Sequence, residues 1–256
     1  MKSLTTFAAA AVLSLGIASA SHAAVFAQFS PDTGAADYSW VKTGTGLTGD
    51  FTSTNVATHF NFLTPIAGLN GMGFLPATFN LTSSVVTPTA ADFNVSSGTY
   101  TQRNLDSTGT GFSFIFAGAT GVYNGHLLTN GVTNLLSGVF TDAWIQGAGS
   151  SGSANLSTLN SPLATATFTS DLINFGNVVP GSAGFAFNML SVTPGFGCVN
   201  VAGVCTKALN NFTGNGGGNF SAAGIPEPAT WGLMIVGFGG MGMVLRSRRR
   251  PALAKA

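Results

Sequence analysis

The residues between the two ends of this 256-residue chain predict an all-β fold, an antiparallel β-sandwich of jelly-roll type. Three observations point there. Several short runs alternate strictly between apolar and polar residues. Clusters of Gly, Asn, Pro and Ser separate those runs, as turns should. No amphipathic helix of convincing length occurs anywhere between the ends.

Taken in order, Val25–Phe29 reads as the first strand. Val56, Thr58, Phe60 and Phe62 then share one parity, while His59 and Asn61 take the other. Phe79 and Leu81 alternate with Asn80 and Thr82, and Phe112, Phe114 and Phe116 with Ser113 and Ile115. Leu135–Phe140, Trp144–Gln146 and Leu163–Thr169 read as further strands, and Phe185, Phe187 and Met189 alternate with Ala186 and Asn188. A period of two puts each phenylalanine set on one face of a sheet. About nine or ten such strands suggest two packed antiparallel sheets around an apolar core. A β-helix would need short regular repeats, and the sequence has none.

Composition excludes some functions. Only 7% of residues are charged and 21 are Phe, which argues against a disordered chain. The basic residues crowd the C-terminal end. Between the ends, Lys42, Arg103 and Lys207 face seven aspartates, so the body is mildly acidic. Nucleic-acid binding needs a basic face to neutralise phosphates and is not expected.

Both ends read as addresses. Met1-Lys2, an apolar run from Leu4 to Ala18 and then Ser21-His22-Ala23-Ala24 have the parts of a secretory signal peptide. It forms an N-terminal signal helix and implies export by the Sec machinery. Cleavage between Ala23 and Ala24 puts small residues at −3 and −1, and cleavage after Ala20 fits as well. At the other end, Ile225-Pro226-Glu227-Pro228 precedes an apolar stretch from Trp231 to Leu245, closed by Arg246, Arg248, Arg249 and Arg250. As a transmembrane helix that stretch would be about 22 Å long, short of the ~30 Å hydrocarbon core, with the arginines retained on the cytoplasmic side.

Pro-Glu-Pro, a short apolar helix and an Arg cluster, in that order at the C-terminus, resemble the PEP-CTERM sorting signal. The spacing to Trp231 resembles the subclass with Trp two residues beyond the motif, although Gly232 stands where Ala is usual. The resemblance covers about the last tenth of the chain. It implies that Pro226, Glu227, Pro228 and Trp231 are recognised by an exosortase, a membrane-embedded processing enzyme that cuts near the motif. It also implies that the arginines halt export and that the body ends at the cell surface or in extracellular matrix, associated with exopolysaccharide. The chain then divides into a signal peptide (1–23), a β body (24–213), a Gly-rich flexible linker (214–224), the sorting signal (225–250, helix about 231–245) and a basic cytoplasmic tail (246–256).

The body offers little chemistry. Cys198 and Cys205 are the only cysteines, and an oxidising compartment favours a disulfide between them over a metal site. Asp32 and Asp37 flank an oxygen-rich stretch without the regular spacing of a calcium loop, which reads as a solvated loop. His59 and His126 lack a nucleophile elbow nearby, and the lone Glu belongs to the tail. No enzyme, cofactor or metal is expected. Two rival readings remain. One is a carbohydrate-binding module using Tyr38, Trp40, Tyr100 or Trp144. The other is a hydrolase using Asp or His in a cleft.

Overall fold

The computed structural model describes residues 23–32, 37–63, 66, 68–106, 111–149, 152–159 and 161–224. The expected signal helix and the expected transmembrane helix lie outside the described residues. Among the described residues, no helix is long and apolar enough to cross a membrane.

The regular secondary structure of the described residues is almost all strand. The first half holds β1 (Ala24–Pro31), β2 (Tyr38–Thr43), β3 (Thr48–Phe62), β4 (Leu75–Val85), β5 (Asp92–Asn94), β6 (Thr99–Asp106) and β7 (Phe112–Phe116). The hairpin β8 (Gly121–Tyr123) and β9 (His126–Leu128) follows, then β10 (Asn134–Thr141), β11 (Ala143–Ala148), β12 (Ser153–Ser157) and β13 (Thr165–Thr169). The last four are β14 (Gly184–Thr193), β15 (Cys198–Val201), β16 (Val204–Leu209) and β17 (Phe212–Ala222). The expected strands are all here. The ones the sequence hid (β2, β5, β6, β8, β9, β12, β15, β16 and β17) lack a run of alternating phenylalanines.

The expected phenylalanine faces point inward. Phe79 and Leu81 on β4, Phe112, Phe114 and Phe116 on β7, and Phe185, Phe187 and Met189 on β14 are all buried. In β3 the pattern changes parity midway. Gly49, Phe51 and Ser53 face inward in the first half, and Thr58, Phe60 and Phe62 in the second. One extra residue causes this. The pairing with β4 shifts between Ser53 and Val56, where Asn55 has φ +51°, and a bulge of this kind turns the following side chains over. Val56, the first paired residue past the bulge and on the same parity as Phe60, is partly buried against the core.

Two separate sheets were expected; one continuous antiparallel sheet closes on itself instead. β2 pairs with β3, β3 with β4 and β4 with β6. The cycle continues through β11, β12 and β14 to β17, which returns to β2. β1 bridges β3 and β17 a second time. β7, β10 and β13 extend from β4, and β5 pairs with β6. Closure pairs strand edges that a sandwich would leave exposed.

The expected flexible linker at 214–224 is also corrected. Most of it is β17, which pairs with β14 along one side and with β1 and β2 along the other. Its glycines allow close approach. A Cβ on Gly216 would lie 1.9 Å from the Asn188 carbonyl oxygen, and one on Gly217 would lie 2.2 Å from that of Phe29. Further along, the Phe220 ring lies within 6.4 Å of the rings of Phe26, Phe29, Phe60, Phe112, Phe114, Phe168 and Phe187. These separations are those aromatic rings prefer. The last strand therefore fills the centre of the core.

Candidate functional site

The candidate site is the point where the chain leaves the sheet. Ala24, the first residue of β1, stands directly opposite Ala222, the last residue of β17. The two ends of the body are thus cross-strand neighbours. Ala23, on the expected signal-cleavage bond, is exposed just before the sheet begins.

Beyond β17 the backbone stays fixed for two more residues. The Ala223 amide donates to the Ser182 hydroxyl at 3.0 Å, and the Val179 amide donates to the Ala223 carbonyl at 3.0 Å. The Ser182 hydroxyl in turn donates to the Val179 carbonyl at 2.7 Å. Ala222 and Ala223 are buried, at 1% and 3% exposure. Gly224 has φ +87°, a conformation that suits glycine, and a Cβ there would lie 2.5 Å from the Asn177 carbonyl oxygen. Asn177, Val179 and Ser182 carry no sequence signal. They reach Ala223 and Gly224 across some forty residues of chain, a contact that only folding makes.

Cys198 and Cys205 form a disulfide in the hairpin β15–β16. That hairpin is tied to the ring. The Trp40 indole N–H donates to the Leu209 carbonyl at 3.0 Å, and the Leu209 amide donates to the buried Gln102 side chain at 3.1 Å.

Of the four aromatic candidates, Trp40 and Tyr38 are fully buried and unavailable to a ligand. Burial and the neighbouring Asp37 push the Tyr38 hydroxyl well above its ordinary range. Tyr100 is half-buried and stacked on Phe93 at 4.4 Å. Trp144 is half-buried, with the Arg103 guanidinium 4.2 Å over its ring and Asp92 paired to that arginine. Trp144, Arg103 and Asp92, together with Phe93, Asn94, Thr101 and Gln146, line a recess of about 440 Å³.

Asp32 and Asp37 do not converge. Asp32 lies 3.5 Å from the His59 imidazole, and both side chains are well exposed. Asp37 is buried, contrary to the expected solvated loop, and its carboxylate accepts from the Gly216 amide at 3.3 Å. Burial raises its carboxyl above the usual range, and that hydrogen bond opposes the rise. His126 lies in β9, away from this pair in sequence and in sheet. Among the described residues, no group of three or more His, Cys, Asp or Glu is placed to hold a metal ion.

Pro226, Glu227, Pro228, Trp231, Arg246, Arg248, Arg249 and Arg250 lie outside the described residues. Comparison with protein families finds the PEP-CTERM protein-sorting motif at residues 224–250. No curated protein and no solved structure matches the chain. The motif begins at Gly224, the residue at which the chain leaves its clamp. It indicates a protein that is exported, processed by an exosortase-type membrane enzyme and sorted toward the cell surface.

Proposed function

We propose that this is a non-catalytic component of the outer surface or extracellular matrix, with a β body that is structural or associated with exopolysaccharide. In this reading the Sec machinery exports the chain and the N-terminal peptide is removed at Ala23–Ala24. The apolar stretch 231–245 holds the tail in the inner membrane, with Arg246, Arg248, Arg249 and Arg250 on the cytoplasmic side. The processing enzyme reads Pro226, Glu227, Pro228 and Trp231, and the body is then delivered outward.

One observation carries the reading: the sorting motif at 224–250 follows directly on the last strand of the body. The body's low charge and its Thr-, Ser- and Asn-rich surface suit contact with neutral polysaccharide. The test is fractionation of cells expressing the wild type or a Pro226→Ala/Glu227→Ala/Pro228→Ala variant. The wild type should lose its C-terminal segment and leave the inner membrane, while the variant should stay there with its tail intact. Identical fractionation of both, with intact tails by mass spectrometry, would leave only a plain membrane anchor.

A second reading rests on the recess at Trp144. An aromatic ring beside a guanidinium, a carboxylate and amides can stack on a sugar and hydrogen-bond its hydroxyls. In that case Trp144→Ala should abolish retention of the body on an immobilised exopolysaccharide from the same cells. Unchanged retention would remove this recess from consideration.

A further inference from the structure

The exit of the chain has a consequence that follows from the sorting reading and rests on it. A processing enzyme needs an accessible stretch of backbone, and accessibility is decided by burial and hydrogen bonding. Residues 218–222 are paired with β1 on one side, and 216–221 with β14 on the other. Both polar backbone groups of Ala223 are engaged by Ser182 and Val179. Gly224 is pressed against Asn177. One residue, Ile225, then separates Gly224 from Pro226.

The described segments that meet at this exit, 23–27, 177–184 and 218–224, contain no Asp, Glu, Lys, Arg or His. Val25 and Val179 beside it are exposed at 42% and 45%. Such a face can approach a membrane surface, or an enzyme embedded in one, without desolvating a charge.

We infer that the folded body itself sets the upstream limit of processing. The membrane enzyme cuts C-terminal to Gly224, because the β17 ladder and the hold of Ser182 and Val179 on Ala223 keep the backbone upstream out of reach. The cut breaks one peptide C–N bond. The acyl carbon passes to water or to an acceptor amine, and the departing tail keeps the nitrogen as a new amine. Residues 24–224 stay whole, and the core keeps Phe220.

The experiment uses the full chain in cells that process it, with the released body analysed by intact mass and C-terminal peptide mapping. Every mature wild-type chain should retain Ala223 and Gly224. The purified body is also challenged with a broad-specificity protease, beside a Ser182→Ala variant. Losing the hydroxyl that joins Ala223 to Val179 should speed cutting within 219–224 roughly fivefold while the rest of the body resists. Mature chains ending upstream of Ala223 overturn this inference and leave sorting intact. Equal cutting of wild type and variant overturns the clamp. A wild type that keeps its whole tail overturns both readings, because there is then no processing to limit.

Discussion

Residues 147–153 and 214–218 are both glycine-rich, and composition alone gives both the look of a linker. The first is mixed: a Cβ on Gly147 would lie 2.9 Å from the Ala154 Cβ and one on Gly149 would lie 2.7 Å from the Tyr100 ring. β11 ends at Ala148 and β12 resumes at Ser153, and a Cβ on Gly152 would meet open space. In the second, carbonyls of neighbouring strands lie within the space a side chain would fill. At Gly152 a side chain would meet nothing, whereas the glycines of the second stretch let strands close on it. Which applies depends on what lies alongside, and no local pattern records that.

The difference is open to direct attack. The largest effect expected is from Gly216→Ala combined with Gly217→Ala. Overpacking typically costs about 1–3 kcal/mol per site and more against rigid backbone. Two such insertions should consume most of a small domain's stability of roughly 5–15 kcal/mol. Loss of cooperative urea unfolding and of near-native β circular dichroism is the expected result, and a well-folded double variant would mean that β17 is peripheral.

A smaller effect tests what holds the start of β17. The hairpin before it is closed by Cys198–Cys205 and bonded through Leu209 to Trp40 and Gln102. Replacing both cysteines by serine opens an eight-residue loop, worth about 2.5 kcal/mol by chain entropy. The urea midpoint should drop accordingly. No change would separate the hairpin from the stability of the ring.

Asp37 probes the same strand by pH. Burial lifts its folded carboxyl above the usual range, so the folded state holds that proton more tightly than the unfolded chain. Its contribution is therefore full below the ordinary carboxylate pKa, about 3.9, and is lost as pH rises through the raised value. Asp37→Asn keeps an oxygen for the Gly216 amide and should remove this part of the slope in urea midpoint against pH. An unaltered slope would show that the carboxylate is effectively solvated. The smallest effect is the control: Gly152→Ala should change stability by no more than about 0.5 kcal/mol. A large loss there would erase the contrast between the two stretches.

Several features were legible because they are local. Period-two phenylalanines on β4, β7 and β14 gave the strands and their inner faces, since a strand alternates its side chains whatever it later pairs with. A chain with two cysteines left a single possible partner for each. Pro226-Glu227-Pro228, the apolar stretch and the arginines form a linear signal, read in order along the chain.

What the sequence could not carry is everything that depends on distant partners. Trp40 and Tyr38 were candidates for an exposed surface and are in the core, because β2 lies between β3 and β17. One extra residue near Asn55 turned the first half of β3 over, which no count of alternating residues predicts. By itself the sequence determined an all-β body, its disulfide and its address. Only the tertiary structure decided that the sheet closes into a ring and that a glycine-rich stretch is its central strand. It also decided that Ala24 and Ala222 meet. Periodicity and linear motifs are written in neighbouring residues, whereas closure and crowding arise only when strands far apart in the chain come within hydrogen-bonding distance.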